Sequence, residues 1–165
     1  MKKLIIFVML LCSSICYSAE DPSGWKTARW GMSLNELLKA VTEAHEMHDA
    51  GAGASKYTKI AAIDDVVVNG KHYKVSFLTN KGSDKLVRVN LESTNERVST
   101  FDHSDLLKSL NEKYGSPSDV EKKKSPMGSS LIRTLWYFPT TTIEVFYYEN
   151  ELSISYSQKQ LESNL

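Results

Sequence analysis

Val66-Val67-Val68-Asn69-Gly70-Lys71-His72-Tyr73-Lys74-Val75-Ser76-Phe77 is the stretch on which the fold turns. A β-branched run meets Asn69-Gly70, and both of those residues tolerate the positive φ that a two-residue hairpin turn demands. Beyond the turn, Tyr73, Val75 and Phe77 alternate with polar neighbours, the period-two pattern of a strand with one buried and one wet face. Lys81-Gly82-Ser83-Asp84 makes a second turn, after which Val87, Val89 and Leu91 alternate with Arg88, Asn90 and Glu92. A three-stranded antiparallel meander is expected here.

Upstream, Ser33-Leu34-Asn35-Glu36 spells a capping box, in which the Ser33 hydroxyl accepts from the Glu36 amide while the Glu36 carboxylate accepts from the Ser33 amide. Met32 and Leu37 flank that cap at staple positions. Leu34, Leu37, Leu38, Val41, His45 and His48 then recur at helical spacing, and Ala50-Gly51-Ala52-Gly53 supplies breakers, so a helix ending near Asp49 is expected. Glu20 to Arg29, with Pro22 and Gly24, lacks periodicity and reads as an irregular lead-in.

Downstream the same order returns. Phe101-Asp102 is placed for a second cap with a staple to Leu106; Leu106, Leu107, Leu110 and Tyr114 form a helical stripe; Gly115 and Pro117 stop it. Strands follow at Ile132 to Phe138, Thr142 to Tyr148 and Leu152 to Tyr156, with a tight turn at Asn150-Glu151. The expected class is therefore α+β: two helix-then-three-strand units, residues 30–93 and 94–165, with amphipathic helices packed on antiparallel sheet around a core that the units can share.

The chain opens Met1-Lys2-Lys3, continues with an apolar run from Leu4 to Leu11, and then carries Ser13, Ser14, Ser18 and Ala19, the three-part layout of a secretion signal. That run is shorter than the roughly 18 residues a spanning helix needs. Cleavage after Ala19 is expected, leaving a periplasmic or secreted protein with no transmembrane segment. Neither Cys12, preceded by Leu11, nor Cys16, preceded by Ile15, fits a lipid-attachment signal. Removing 19 of the 165 residues takes away both cysteines and leaves 146 residues with 18 basic and 20 acidic side chains, a net of −2. Disulfides and thiolate chemistry are then excluded, and no electrostatic argument favours nucleic acid or an anionic membrane as partner.

Trp30-Gly31-Met32-Ser33, together with Lys113-Tyr114-Gly115-Ser116-Pro117 followed by Trp136, resembles a broad group of small exported bacterial proteins in which a W-G-M-S/T start opens one helix and a K-Y-G-x-P stop closes another. In layout the chain is also similar to the β-lactamase inhibitor protein and to the small outer-membrane assembly lipoprotein. Both of those set helices against an antiparallel sheet and bind other proteins. The resemblance implies a fold of that kind; no functional residue is carried over from it.

Among candidate sites, His45 and His48, three apart on a helix with Glu43, Glu46 and Asp49 nearby, could share a metal. Two histidines fall short of a zinc ligand set, the zinc-protease spacing is absent, and both continue the apolar stripe. No metal or cofactor is therefore assigned. Ser99, Asp102, His103, Ser104 and Asp105 read as the polar start of a helix rather than a hydrolase triad. Lys122-Lys123-Lys124, in a segment from Ser116 to Ser130, reads as a solvated basic loop.

The last meander is the most telling. Trp136 and Phe138 lie on one side of their strand and Leu135 and Tyr137 on the other, while Phe146 and Tyr148 face away from Ile143, Val145 and Tyr147. If one face packs inward, the other presents aromatic surface of the kind that binds proteins. The expected function is a non-enzymatic, exported interaction module of inhibitor, immunity or envelope-accessory type, binding another envelope or exported protein through Tyr137, Phe146 and Tyr148. The alternative is a small-ligand or metal-binding periplasmic protein, and an envelope hydrolase ranks last.

Overall fold

Residues 19–47, 55–94, 97–124 and 130–159 are described by the computed structural model. Their strands are β1 (Gly24–Trp25), β2 (Ala28–Arg29), β3 (His45–Glu46), β4 (Tyr57–Val68), β5 (Lys71–Asn80), β6 (Leu86–Ser93), β7 (Asp119–Lys124), β8 (Ser130–Tyr137), β9 (Thr141–Tyr148) and β10 (Glu151–Gln158). Two helices, α1 (Leu34–Ala40) and α2 (Thr100–Tyr114), accompany them. β1 and β2 form a small ribbon. The remaining strands make one antiparallel sheet of eight, in the order β3-β4-β5-β6-β10-β9-β8-β7.

The described residues are mostly β, with 52% strand against 17% helix, which overturns the expected α+β class of amphipathic helices packed on a sheet. Three segments account for the difference. α1 stops at Ala40 because β-branched Val41 and Thr42 follow, and Val41 takes a non-helical cap conformation (φ −125°, ψ 86°). His45 and Glu46 then pair with Ala62 and Ala61 as an edge strand, so His45 is not on the helix that was to carry it. His48 lies outside the described residues. Next, β4 reaches back to Tyr57, its alternation hidden by register shifts between Lys59 and Ala61 and between Ile63 and Val66 that leave Asp64 and Asp65 in solvent. Last, Lys122-Lys123-Lys124 belongs to strand β7 rather than to a loop; every β7 residue except Glu121 is exposed, so no alternation betrays it.

Several local signals fold as their chemistry requires. The Ser33–Glu36 capping box is present, and Asn69 and Gly70 form the tight β4–β5 turn at φ 49° and 72°. Gly115 caps α2 at φ 77°. The second capping box is formed by Ser99 with Asp102 at its third position, earlier than read, and Phe101 is 70% exposed, so it staples nothing. The β9–β10 turn is Glu149-Asn150, one residue earlier than expected. In the lead-in, β1 and β2 bring Trp25 and Ala28 into the core, and Gly24 is held so close that a Cβ there would meet the Ala28 carbonyl oxygen at 2.0 Å.

The core lies on one face of the sheet. Tyr73, Val75 and Phe77 of β5, Val89 and Leu91 of β6, Ile154 and Tyr156 of β10, Ile143, Val145 and Tyr147 of β9 and Trp136 of β8 join one cluster, to which α1 adds Leu37 and α2 adds Leu106, Leu110 and Tyr114. β6 and β10 sit side by side, with Leu91 opposite Ile154 and Val89 opposite Tyr156, so the two halves of the chain share a single sheet. The tryptophan motifs act as clasps across it. Gly31 N–H donates to the Leu86 carbonyl at 2.9 Å, Leu86 N–H donates to the Met32 carbonyl at 2.8 Å, and Trp30 Nε1 donates to Thr141 Oγ1 at 2.9 Å. Trp136, fully buried, donates its indole N–H to the Gly115 carbonyl at 2.8 Å and so ties the end of α2 to β8.

Because the seam is common to both halves, Leu91→Ala is expected to lower the free energy of unfolding by about 2–5 kcal/mol, the cost of a buried leucine side chain with its cavity. Urea denaturation followed by far-UV circular dichroism should show one cooperative transition moved as a whole, not a first half that melts alone.

A second expectation concerns acid. The Lys71 ammonium, 2.9 Å from Asp102, and then the Ser99 amide hold the Asp102 carboxyl down at about 2, below its ordinary 3.8. A carboxylate with a depressed folded pKa stabilises the fold above its unfolded value and loses that contribution as pH falls. Asp102→Asn should therefore flatten the pH dependence of the urea midpoint between about pH 4 and pH 2, and leave its course above about pH 5 parallel to that of the unmodified protein.

Candidate functional site

The face of the sheet opposite the core is built from the alternate residues of the same strands. β10 shows the division clearly: Leu152, Ile154 and Tyr156 point into the core, and Ser153, Ser155 and Ser157 point out. Short side chains on this central strand make a low floor, and longer ones rise from its neighbours. In one row Glu92, Ser153, Phe146, Arg133 and Glu121 lie side by side across β6, β10, β9, β8 and β7. In the next row, Asn90, Ser155, Glu144 and Leu135 are aligned.

Polar groups on this face hold one another in place. Arg88 donates from Nε to Asn90 Oδ1 and from Nη2 to Ser155 Oγ, both at 2.8 Å, and its guanidinium lies 5.5 Å from the centre of the Tyr57 ring. Burial alone would raise the Tyr57 phenol, but hydrogen bonds and positive charge from Lys56 and Arg88 outweigh it and lower the pKa. Farther along, Arg133 donates from Nε to Glu144 Oε1 at 2.5 Å and from Nη1 to Glu121 Oε1 at 3.4 Å. The hydrogen bond to Glu144 raises the Arg133 pKa and fixes the planar guanidinium between two carboxylates.

All three aromatic residues singled out in the sequence lie on this face. Tyr137 is 52% exposed, and Phe146 and Tyr148 are partly buried. They do not form one patch. Phe146 and Tyr148 are two residues apart on β9, whereas Tyr137 pairs with Thr142, roughly 13 Å from Phe146 along the strand at 3.3 Å per residue. Glu144 and Leu135 occupy the interval. Phe146 instead belongs to a groove of about 550 Å³ at the β9–β10 turn, lined by Glu92, Ser93, Glu149, Asn150, Glu151, Leu152 and Ser153 as well. Its rim is acidic. The sequence reading found the aromatic residues and missed this carboxylate frame, because Glu92, Glu149 and Glu151 converge only through the β6–β10 pairing.

Elsewhere the candidates have structural work. Ser99 Oγ donates to the Asp102 carboxylate at 2.8 Å inside the capping box, and Ser104 Oγ donates to the Thr100 carbonyl at 2.9 Å. His103 is buried and stacked on Tyr147, ring centres 4.8 Å apart. His45 lies 3.9 Å from Asp64 on the exposed sheet edge. Among the described residues no group of three metal-ligating side chains comes together, and no helix is long and apolar enough to cross a membrane.

The face can be altered without unfolding the protein. Tyr137→Ala is expected to shift stability by no more than about 0.5 kcal/mol, as surface substitutions do, while its buried neighbour Trp136→Ala should cost about 3–5 kcal/mol. Urea midpoints of the two variants give the comparison.

No curated protein and no solved structure matches the chain. The family model of the TP0088 domain matches residues 23–163, which takes in both helices and the whole sheet. The chain belongs to the TP0088 domain family.

Proposed function

We propose that this protein is an exported, non-enzymatic binding module that seats a basic loop of another envelope protein on the outer face of its sheet. The observation that carries the reading is the groove beside Phe146, where an aromatic ring is framed by Glu92, Glu149 and Glu151. A lysine or arginine side chain entering it meets both kinds of partner at once, a ring face and carboxylates. Tyr148, next along β9, extends the apolar contact, and Tyr137 marks the far end of the same face. The serine floor of β10 leaves room for a loop to lie across the strands, and the Arg88–Asn90–Ser155 and Glu121–Arg133–Glu144 networks hold the surface rigid, which lowers the ordering cost of binding. The secretory layout of the first residues supports an envelope partner rather than a cytoplasmic one.

A photo-crosslinking residue in place of Tyr148, used in intact cells, tests this. The expected product joins position 148 to a segment of one envelope protein that contains lysine or arginine. Capture should be lost in a folded Tyr137→Ala, Phe146→Ala, Tyr148→Ala variant and weakened at least roughly tenfold by Glu92→Lys with Glu151→Lys, as expected when like charges face each other. Unchanged capture by the folded triple variant overturns the site. A crosslinked segment without basic residues, or a product containing lipid or a second copy of this chain, overturns the partner.

A further inference from the structure

On the core side of the sheet, away from the face just described, a cavity of about 270 Å³ opens between α2 and strands β7 and β8. Its walls are Leu107, Pro117, Val120 and Ile132, and Ser104, Asn111 and Lys122 stand at its exposed rim. Two further lining residues are polar and deep. His103 is 5% exposed and Thr134 1% exposed, and neither His103 Nε2 nor Thr134 Oγ1 has a hydrogen-bond partner among the described residues. Buried polar atoms without partners are costly and uncommon, and here both belong to residues that line one largely apolar cavity, which points to a ligand that satisfies both.

We infer that this cavity binds a small apolar molecule carrying one neutral hydroxyl group, oriented with the hydroxyl toward His103 and Thr134. A hydroxyl both donates and accepts. It can therefore meet the imidazole nitrogen in either tautomer, while the Thr134 hydroxyl turns to complete the set. A carboxylate is the poorer match for the deep end. Burial, and then the charge of Lys122, keeps His103 toward its neutral form, and Lys122 itself stands at the exposed rim, so an anion at the deep end would be desolvated beside an uncharged imidazole. The apolar walls take the body of the ligand, and the stacking of His103 on Tyr147 fixes the ring that reads the hydroxyl. The size suits a single ring or a short branched chain.

The test uses phenol and benzene as probes on the full chain, with proton–carbon spectra of the His103 ring and the Thr134 methyl group as readout. Phenol should shift both signals saturably, and benzene should bind about tenfold more weakly, the order of the cost of leaving a buried polar group without a partner. Thr134→Val keeps the shape of the side chain. It should weaken phenol several-fold and leave benzene unchanged. Phenol that fails to saturate, or benzene that binds as tightly, overturns the inference, the second result leaving a merely greasy cavity and the first a site filled by water. Should Thr134→Val fail to fold, the phenol-to-benzene ratio on the unmodified protein decides alone. Partner capture on the opposite face is a separate readout and is not expected to respond.

Discussion

The antiparallel pairing of β6 with β10 is the constraint on which everything else rests. Each half of the chain brings an open-edged meander, and the two are joined where Glu92 to Arg88 runs against Ser153 to Ser157. On one side of that seam Leu91, Ile154, Val89 and Tyr156 make the core continuous. On the other, the same register sets Asn90 against Ser155 and Glu92 against Ser153, so the hydrogen bonds that close the core also lay out the outer face. A slip of one residue would put serines into the core and aliphatic side chains outside, which is why the register is firmly specified.

The tryptophans show how short motifs act at a distance in this fold. Trp30 and Trp136 each have an indole N–H that must find an acceptor when its ring is covered, and each finds one on another element. Trp30 reaches from the start of the chain to β9, and Trp136 from β8 to the end of α2. The Trp-Gly-Met-Ser stretch thus works as a strand-like bridge to Leu86 as well as a helix cap, and the Tyr-Gly-x-Pro stretch offers a carbonyl as well as a stop.

Most of the strands could be read in the sequence because their chemistry is local. The Asn69-Gly70 turn, the alternation of Tyr73, Val75 and Phe77, and the even split of β9 between core and outer face each follow from period and turn type alone. What escaped was set by tertiary pairing. His45 continued a helical stripe on paper, yet the free edge of β4 drew it into a strand once Val41 had ended α1. The bulges that put Asp64 and Asp65 in solvent broke the alternation of β4, and β7 has almost no apolar residue to report its existence. The same holds for the sites. Tyr137, Phe146 and Tyr148 were visible as outward aromatics, while the carboxylates around Phe146 and the pairing of His103 with Thr134 across a cavity depend on segments distant in sequence.

The two ends of the sheet differ from its faces in a way that bears on what this molecule can join. β3 is only two residues long, and β7 carries Lys122, Lys123 and Lys124 on an exposed strand. A short strand offers an incoming chain little ladder to extend, and a row of ammonium groups repels another like it, both being ways in which proteins blunt sheet edges. Growth by adding a strand is thus discouraged at the β7 end, and at the other end β3 covers β4 at Ala61 and Ala62. Association is steered toward broad surfaces, where recognition depends on side-chain chemistry rather than on backbone hydrogen bonds that any sequence could supply.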